Sequence, residues 1–239
     1  MLRIYLPVTH FKEGRISITG EKARYLATVL RCRKGDELIV FDGEGNCLKT
    51  NILKVDRKEV CVEVLEKFTC DTESPINIFL IQGLLKGQKM DMVIQKSTEL
   101  GVKEIIPIIT ERSQPRETRK ITRWRKIAEE ASRQSVRSII PLIHEPIHFN
   151  DCISSLTSKG LIFYEEGGIK ISEAISSLVT RHSSLSVIIG PEGGFTKKEI
   201  AIAKENGFIV TTLGKRILRA ETATISAITL VQFLLGDMG

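Results

Sequence analysis

The sequence predicts an α/β protein with two domains, a small β-barrel over residues 1–72 and a larger α/β domain over residues 73–239. Short strands separated by hairpin turns fill the first 70 residues. After Thr72-Glu-Ser-Pro75, strands alternate with helices, which is typical of a mostly parallel sheet covered by helices on both faces. The 239 residues, 42% of them hydrophobic, suffice for cores of this size without disulfide or metal support.

The first domain is predicted from alternating apolar and polar positions. This pattern gives a short helix at 21–31 and strands at 15–19, 37–41, 47–55 and 59–65. The segments Asp42–Asn46 and Asp56–Glu59 have the composition of hairpin turns. Short antiparallel strands with one helix favour a small β-barrel.

The second domain is predicted from a change to alternating strands and helices. Strands are expected at 76–82, 104–110, 161–164, 185–189 and 208–213, and helices at 89–100, 121–137, 171–182, 196–205 and 222–235. Gly101 is placed to end one helix, and Thr196-Lys-Lys-Glu199 is a capping box that opens another. Trp124 lies on the apolar stripe of helix 121–137, which favours core packing over a base-stacking role.

The positive charge is concentrated in one segment. The chain carries a net charge of +6, and residues 112–137 hold nine basic and three acidic groups, which is the whole excess. A basic patch on a neutral body indicates a polyanion such as nucleic acid. A solvated helix face with extra arginine explains the charge equally well, so charge alone leaves both interpretations open.

Two glycine-containing turns follow predicted strands and precede predicted helices. They span Ile189–Phe195 and Leu213–Thr222. In an open α/β sheet, ligands bind at the carboxyl ends of the strands, where these turns lie. Neither turn has the spacing of a P-loop or of a dinucleotide-binding loop, which argues against both classes of nucleotide enzyme. Helix capping by Glu221 and Thr222, and a plain surface charge at Arg219, are the structural alternatives.

Other sequence features exclude several protein classes. The five cysteines are an odd number without CxxC spacing, so neither a disulfide framework nor a zinc site is expected. The apolar stretch 223–235 is too short to cross a bilayer, and the first residues lack the apolar run of a secretory signal. We therefore expect a cytoplasmic protein with no metal and no membrane partner.

The two turns carry a resemblance to a known family. The segments 188–199 (IIGPEGGFTKKE) and 213–223 (LGKRILRAETA) resemble the signature of the SPOUT, or trefoil-knotted, RNA methyltransferases. The likeness is to the branch that methylates N3 of a uridine in 16S ribosomal RNA, and it extends over 25–31, 95–102, 107–113 and 124–141. Tyr25 departs from the pattern, which has histidine there.

The resemblance implies a fold and a cofactor. It implies a PUA-like RNA-binding barrel over 1–72, a methyltransferase domain with a C-terminal trefoil knot over 73–239, and a homodimer. It also implies that S-adenosylmethionine is held mainly by the backbone of the knot loops. Carried over to this sequence, the cofactor-binding residues are Gly190, Pro191, Glu192, Gly193, Gly194, Leu213, Gly214, Ile217 and Leu218.

The implied reaction is displacement at the methyl carbon by uracil N3, which requires charge stabilisation on the uracil oxygens and loss of the N3 proton. Arg219 is the first candidate for the charge stabiliser and Arg112 the second. Glu221 or Glu99 could assist proton removal, although capping or ion pairing explains either, and water is a further acceptor.

The expected partner is 16S ribosomal RNA, with free RNA and the assembled small subunit both open as substrates. Its proposed contacts are phosphate contacts from basic side chains. These are Arg31, Arg116, Arg123, Lys126, Arg133 and Arg137. Two alternatives stand beside this function, a knotted methyltransferase acting on another ribosomal or transfer RNA base, and a non-catalytic RNA-binding protein.

Overall fold

The computed structural model describes residues 2–7, 14–114, 116–156, 160–178 and 184–239. The chain divides into two compact units. The first contains Met1–Glu73 and Ser132–Ile140, and the second contains Ser74–Ala131 and Pro141–Gly239. The sequence analysis assigns residues 132–140 to the second domain, whereas in the structure this segment returns to the first unit.

The first unit is built on one mixed sheet. Its elements are β1 Leu2–Tyr5, β2 Arg15–Thr19, α1 Gly20–Arg24 with a π-helical turn Tyr25–Val29, β3 Glu37–Phe41, β4 Asn46–Val55 and β5 Glu59–Thr69. In the described part of the chain the strand order is β1-β3-β4-β5-β2, and the β1–β3 pair is parallel while the other pairs are antiparallel. Ile16 and Ile18 point inward from β2 to a core shared with Leu26, Val60 and Val62. β1 is absent from the sequence prediction because four residues are too few to display a period.

Glu73 holds the returning segment 132–140 within the first unit. Its carboxylate accepts hydrogen bonds from Nε and Nη2 of Arg137 at 3.0 and 2.7 Å. It also accepts from the backbone N–H groups of Ser138 and Ile139, each at 3.0 Å. Arg137 is only 3% exposed. The expectation that Arg137 contacts RNA is therefore corrected, because its guanidinium is committed to Glu73 inside the protein.

We expect Glu73→Gln to lower the free energy of unfolding by about 2–4 kcal/mol, since it leaves the buried Arg137 charge without its partner. Urea unfolding followed by circular dichroism measures the loss. Glu37→Gln is the matched control, because Glu37 pairs with Lys49 at the surface, where such pairs contribute at most about 1 kcal/mol. Equal losses in the two variants would contradict the anchoring role.

The second unit alternates strands and helices along the chain, as the sequence predicts. Its elements are β6 Asn77–Gly83, α2 Lys89–Glu99, β7 Glu104–Ile109, α3 Ile121–Gln134, β8 Leu142–Ile143, β9 Ile147–His148, α4 Phe149–Ser155, β10 Gly160–Phe163, β11 Ile169–Lys170, α5 Ile171–Leu178, β12 Ser184–Ile189, α6 Lys197–Glu205, β13 Ile209–Thr212 and α7 Ala220–Leu235. The last residues of α3 belong to the first unit. Of the predicted helix 171–182, residues 179–182 lie outside the described residues.

The described strands of this unit form a parallel sheet in the order β11-β13-β10-β12-β6-β7-β8, with β9 beside β7. Every one of these pairs is parallel. Adjacent residues of β6 show that helices cover both faces. Ile81 belongs to a core with Phe149 of α4 and Ile200 of α6, whereas the next side chain, Gln82, contacts Thr224 of α7. The predicted parallel sheet with two helical layers is confirmed.

Local signals in the sequence also correspond to the structure. Thr196 and Glu199 form the reciprocal hydrogen bonds of a capping box at the start of α6. Gly101 follows α2 with φ +82°, a conformation that favours glycine. Trp124 is 2% exposed, and its indole N–H donates to Asp91 at 3.0 Å. The prediction that Trp124 packs in the core is confirmed.

Candidate active site

A pocket of about 580 Å³ lies at the carboxyl ends of three neighbouring strands, β13, β10 and β12. The loop after each strand contributes to its wall, together with Lys89 of α2 and the first turn of α7. Parallel strands present their carboxyl ends at one edge of a sheet, which is why turns that are distant in sequence meet here. Pockets of this volume are typical of small-molecule sites.

The loop after β12, Gly190–Phe195, forms one wall of the pocket. Its backbone lies so close to the end of β6 that a Cβ on Gly83 would come within 2.4 Å of the Pro191 nitrogen. Gly194 has φ +65°, and a Cβ there would meet the carboxylate of Glu165 at 2.2 Å. At Gly83 the overlap is with backbone atoms, which cannot rotate away, whereas at Gly194 it is the positive φ that favours glycine.

Glu192 fastens this loop to the start of α2. One carboxylate oxygen accepts from the Lys86 backbone N–H at 3.1 Å and from the Lys89 ammonium at 3.0 Å. Partial burial by itself raises the pKa of Glu192, but the hydrogen bonds from Lys89 and Lys86 outweigh burial and lower the pKa below its usual value. Glu192 is thus ionised at neutral pH, and its hydrogen bonds hold the loop after β12 against the start of α2.

The second predicted turn, after β13, forms the opposite wall. Gly214 has φ +110°, and Ile217 is 84% exposed at the pocket wall. Arg219 is the N-cap residue of α7 and carries an exposed side chain. Glu221 lies in the first turn of α7, and its buried Oε2 atom has no hydrogen-bond partner within the residues the structure describes.

The predicted cofactor residues, with one exception, line this pocket. They are Gly190, Pro191, Glu192, Gly194, Leu213, Gly214, Ile217 and Leu218, and the catalytic candidates Arg219 and Glu221 lie with them. Gly193 is the exception. A Cβ added to Gly193 would point toward Arg112 and lie 2.9 Å from the Arg112 Cβ.

Arg112 braces the loop from outside the pocket wall. Its Nη1 donates to the carbonyl oxygens of Gly193 at 3.0 Å and Phe195 at 3.4 Å. The expectation that Arg112 contacts the reacting base stays a prediction, because its side chain is exposed and only Nη1 donates to these carbonyls. Glu99 is likewise absent from the pocket wall and pairs with Lys96 on the surface of α2.

Sequence reasoning missed the end of β10 and the loop after it, which supply Phe163, Tyr164 and Glu165 to the pocket. The signal was present, because Glu165-Glu-Gly-Gly168 is a third glycine-containing turn that directly follows a predicted strand. Desolvation, with the neighbouring carboxylate of Glu166, raises the pKa of Tyr164 above its usual value. Its phenol is therefore neutral at physiological pH and is not a general base.

The predicted RNA-contacting side chains differ in their surroundings. Arg31 and Lys126 are exposed, and Arg116 is exposed with one nitrogen bonded to the Glu111 carbonyl. Arg123 pairs with Asp91 at 2.8 Å but stays 61% exposed. In the first unit the guanidinium of Arg133 lies 5.4 Å from the centre of the Tyr25 ring. Tyr25, at the position where the family pattern has histidine, thus presents the face of its aromatic ring to Arg133.

Family comparisons agree with this geometry. A family model described as "RNA methyltransferase domain" matches residues 72–232, and one described as "RNA methyltransferase PUA domain" matches residues 18–65. The chain belongs to this RNA methyltransferase family. The predicted α/β fold with a PUA domain and a SPOUT methyltransferase domain is thereby confirmed, while the knot stays a prediction.

Curated members of the RNA methyltransferase family cover nearly the whole chain. The ribosomal RNA small subunit methyltransferase E of Bacillus subtilis is 34% identical over 91% of this chain and 89% of its own length. A protein of the same name from Aquifex aeolicus is 34% identical over 92% of this chain and 95% of its own length.

Two solved methyltransferase structures are similar to this chain over nearly their whole length. Ribosomal RNA small subunit methyltransferase E from Neisseria gonorrhoeae, bound to S-adenosyl methionine, has a TM-score of 0.91 and 35% identity over the full length of both chains. A Legionella pneumophila protein solved with bound SAM has a TM-score of 0.90 and 32% identity, over 99% of this chain and 98% of that chain.

Metal and membrane features are not found in the described part of this RNA methyltransferase. No cluster of three or more His, Cys, Asp or Glu side chains suited to a metal ion occurs among the described residues. None of the described helices combines the length and the apolar character needed to cross a bilayer.

Proposed function

We propose that this chain transfers a methyl group from S-adenosylmethionine to N3 of a uridine in small-subunit ribosomal RNA. The observation that carries the proposal is the meeting of both glycine turns at one pocket, in a chain of the RNA methyltransferase family. The relatives named as small-subunit methyltransferases support this RNA as the substrate. Uridine N3 as the atom modified rests on the motif resemblance.

The pocket suits S-adenosylmethionine, which is positively charged and rich in hydrogen-bond donors. Glu165 and Glu221 bring carboxylates to the wall, and the buried Oε2 of Glu221 has no hydrogen-bond partner among the described residues, which leaves an acceptor for a ligand. Backbone groups of the two turns would hold the rest of the molecule. When bound, S-adenosylmethionine supplies a methyl group on a positively charged sulfur, which a ring nitrogen displaces.

We propose that Arg219 and Glu221 assist the reaction of the uracil ring. Attack by N3 requires loss of the N3 proton, and this loss spreads negative charge onto the uracil oxygens. The exposed guanidinium of Arg219, at the N-cap of α7, can donate hydrogen bonds to those oxygens and orient the ring. Glu221 lies in the same helix turn at the pocket wall, and we propose that its carboxylate receives the proton directly or through water.

Label transfer from methyl-labelled S-adenosylmethionine tests the function. Ribosomal RNA, both free and as assembled small subunits, is incubated with the protein, and the modified base is mapped. We expect one N3-methyluridine in small-subunit RNA. A methyl group on transfer RNA, or on another base, would favour the first alternative. Cofactor-independent RNA binding without methyl transfer would favour the non-catalytic alternative.

Exposed basic groups are proposed to contact RNA phosphates. With Arg137 removed from the set, about five contacts predict a slope of roughly −3.5 to −4.5 for log affinity against log salt. Lys126→Ala should make this slope shallower by about 0.7–0.9. Lys103→Ala is the control, because Lys103 is exposed just before β7, at the amino edge of the sheet. An unchanged slope for Lys126→Ala would remove Lys126 from the contact surface.

Two architectural features are proposed with the function. We propose a homodimer, supported by the exposed apolar side chains of Leu230, Phe233 and Leu234 on α7. Light scattering should then give about twice 26.7 kDa, and a monomer mass would contradict it.

We also propose that the loops after β12 and β13 form a trefoil knot. A crystal structure whose chain could be pulled straight would contradict the knot. Cytoplasmic location is proposed from the ribosomal RNA substrate and five free thiols.

A further inference from the structure

Gln82, at the carboxyl end of β6, is a fully buried amide beside the pocket wall. It is not part of the pocket lining. A buried amide is unfavourable unless its donors and acceptor are hydrogen-bonded, and an apolar side chain would fill the same space without that requirement. The partners of Gln82 therefore indicate what the amide contributes.

The amide of Gln82 reaches both walls of the pocket. Its Nε2 donates to the carbonyl of Gly83 at 3.1 Å and lies 3.4 Å from the carbonyl of Gly190, the first residue of the loop after β12. Its Oε1 accepts from the Thr224 hydroxyl at 2.6 Å, and Thr224 is also fully buried. The same hydroxyl lies 2.9 Å from the carbonyl of Ala220 in the first turn of α7.

We propose that Gln82 is a positioning residue that fixes the distance between the Gly190 loop and the first turn of α7. The inference rests on the proposed function, since these two elements carry the cofactor turn and the Arg219–Glu221 pair. A fixed separation matters because a pocket whose walls are already in place loses less entropy when it binds a ligand. Gly190 and the start of α7 at Ala220 are 30 residues apart along the chain. The Gln82–Thr224 bridge joins them directly through side-chain hydrogen bonds.

Gln232 offers an internal control for this bridge. It is a second buried glutamine, 1% exposed, near the other end of α7. Its Oε1 accepts from the Ser74 hydroxyl at 2.7 Å, and its Nε2 donates to the Leu100 carbonyl at 2.7 Å. Loss of Gln232 therefore removes a comparable pair of bonds from the same helix without touching the pocket.

The test compares Gln82→Met and Thr224→Val with Gln232→Met in the full-length protein. Calorimetric affinity for S-adenosylmethionine, steady-state kinetics and thermal stability are measured for each. Gln82→Met and Thr224→Val should each weaken cofactor binding about five- to tenfold, the effect of losing one or two buried hydrogen bonds. The cofactor KM should rise, and it should change more than kcat or the KM for RNA. Thr224→Ser should restore binding, because it retains the hydroxyl.

The outcomes separate a positioning role from general stability. Gln232→Met should lose stability like Gln82→Met yet bind cofactor within about twofold of the original protein. Cofactor affinity unchanged in Gln82→Met and Thr224→Val, or equally weakened in Gln232→Met, would overturn the inference. The combined variant Gln82→Met with Thr224→Val should be no worse than the worse single variant, and simple additivity would also count against the bridge. If the original protein does not bind S-adenosylmethionine, the proposed function fails first and this inference fails with it.

Discussion

Replacing Arg219 with alanine is expected to slow methyl transfer about 100- to 1,000-fold, the usual loss when a group that stabilises developing negative charge is removed. Cofactor affinity should stay within a few-fold, because the two glycine turns and the loop after β10 also line the pocket. Single-turnover rates with saturating S-adenosylmethionine and ribosomal RNA measure the first quantity, and calorimetry measures the second.

Two further variants show whether the loss is specific to the Arg219 guanidinium. Lys215→Ala removes a positive charge from the same loop at an exposed position outside the pocket lining, so its rate should stay close to normal. Arg219→Lys keeps the charge but loses the planar pair of donors, so it should restore only part of the rate. A normal rate for Arg219→Ala would remove this residue from the mechanism.

The second large effect is expected from Gly83→Ala. An added Cβ would lie 2.4 Å from the Pro191 nitrogen and 2.7 Å from the Gly190 carbonyl carbon. These are backbone atoms, so no side-chain rotation can relieve the overlap, and the loop after β12 must move away from β6. We expect cofactor affinity to fall more than tenfold, since this loop forms a pocket wall. Calorimetric titration with S-adenosylmethionine measures the change.

Gly160→Ala is the matched control for Gly83→Ala. A Cβ on Gly160 would come 2.1 Å from the Ser186 carbonyl oxygen, which is the same kind of backbone crowding beside β12. Gly160 begins β10, at the sheet edge opposite the pocket. Both variants should be destabilised, but only Gly83→Ala should lose cofactor affinity once compared at a temperature where both are folded. Equal affinities would show that the close approach at Gly83 does not shape the pocket.

Much of the second unit could be predicted because its signals are local. The capping box at Thr196, the glycine after α2 and the apolar stripe holding Trp124 each lie within a few residues of the feature they specify. The pocket was predictable for a related reason. Turns at the carboxyl ends of parallel strands share one edge of the sheet, so the two glycine turns could be assigned to the same edge, although β10 lies between β12 and β13.

The features that sequence reasoning missed depend on partners far away along the chain. Arg137 belongs to a basic run, but its role is set by Glu73, which lies 64 residues earlier. Arg112 follows a strand near the pocket, yet the direction of its side chain is set by carbonyls in the loop after β12. Gln82 is an unremarkable residue in a strand pattern until Thr224 is placed beside it. Charge and spacing describe a residue's type, whereas these roles depend on which groups folding brings within hydrogen-bond distance.

The return of residues 132–140 to the first unit has a consequence for synthesis on the ribosome. Chains grow at about 5–20 residues per second, so Glu73 emerges roughly 3–13 s before Arg137, its buried ion-pair partner. During that interval the barrel lacks one of its own segments, while the first strands of the second unit are already being made. A fragment cut at residue 73 would stay in that state permanently, with a carboxylate whose four hydrogen-bond donors are missing. The two units are therefore not separable by a single cut in the chain.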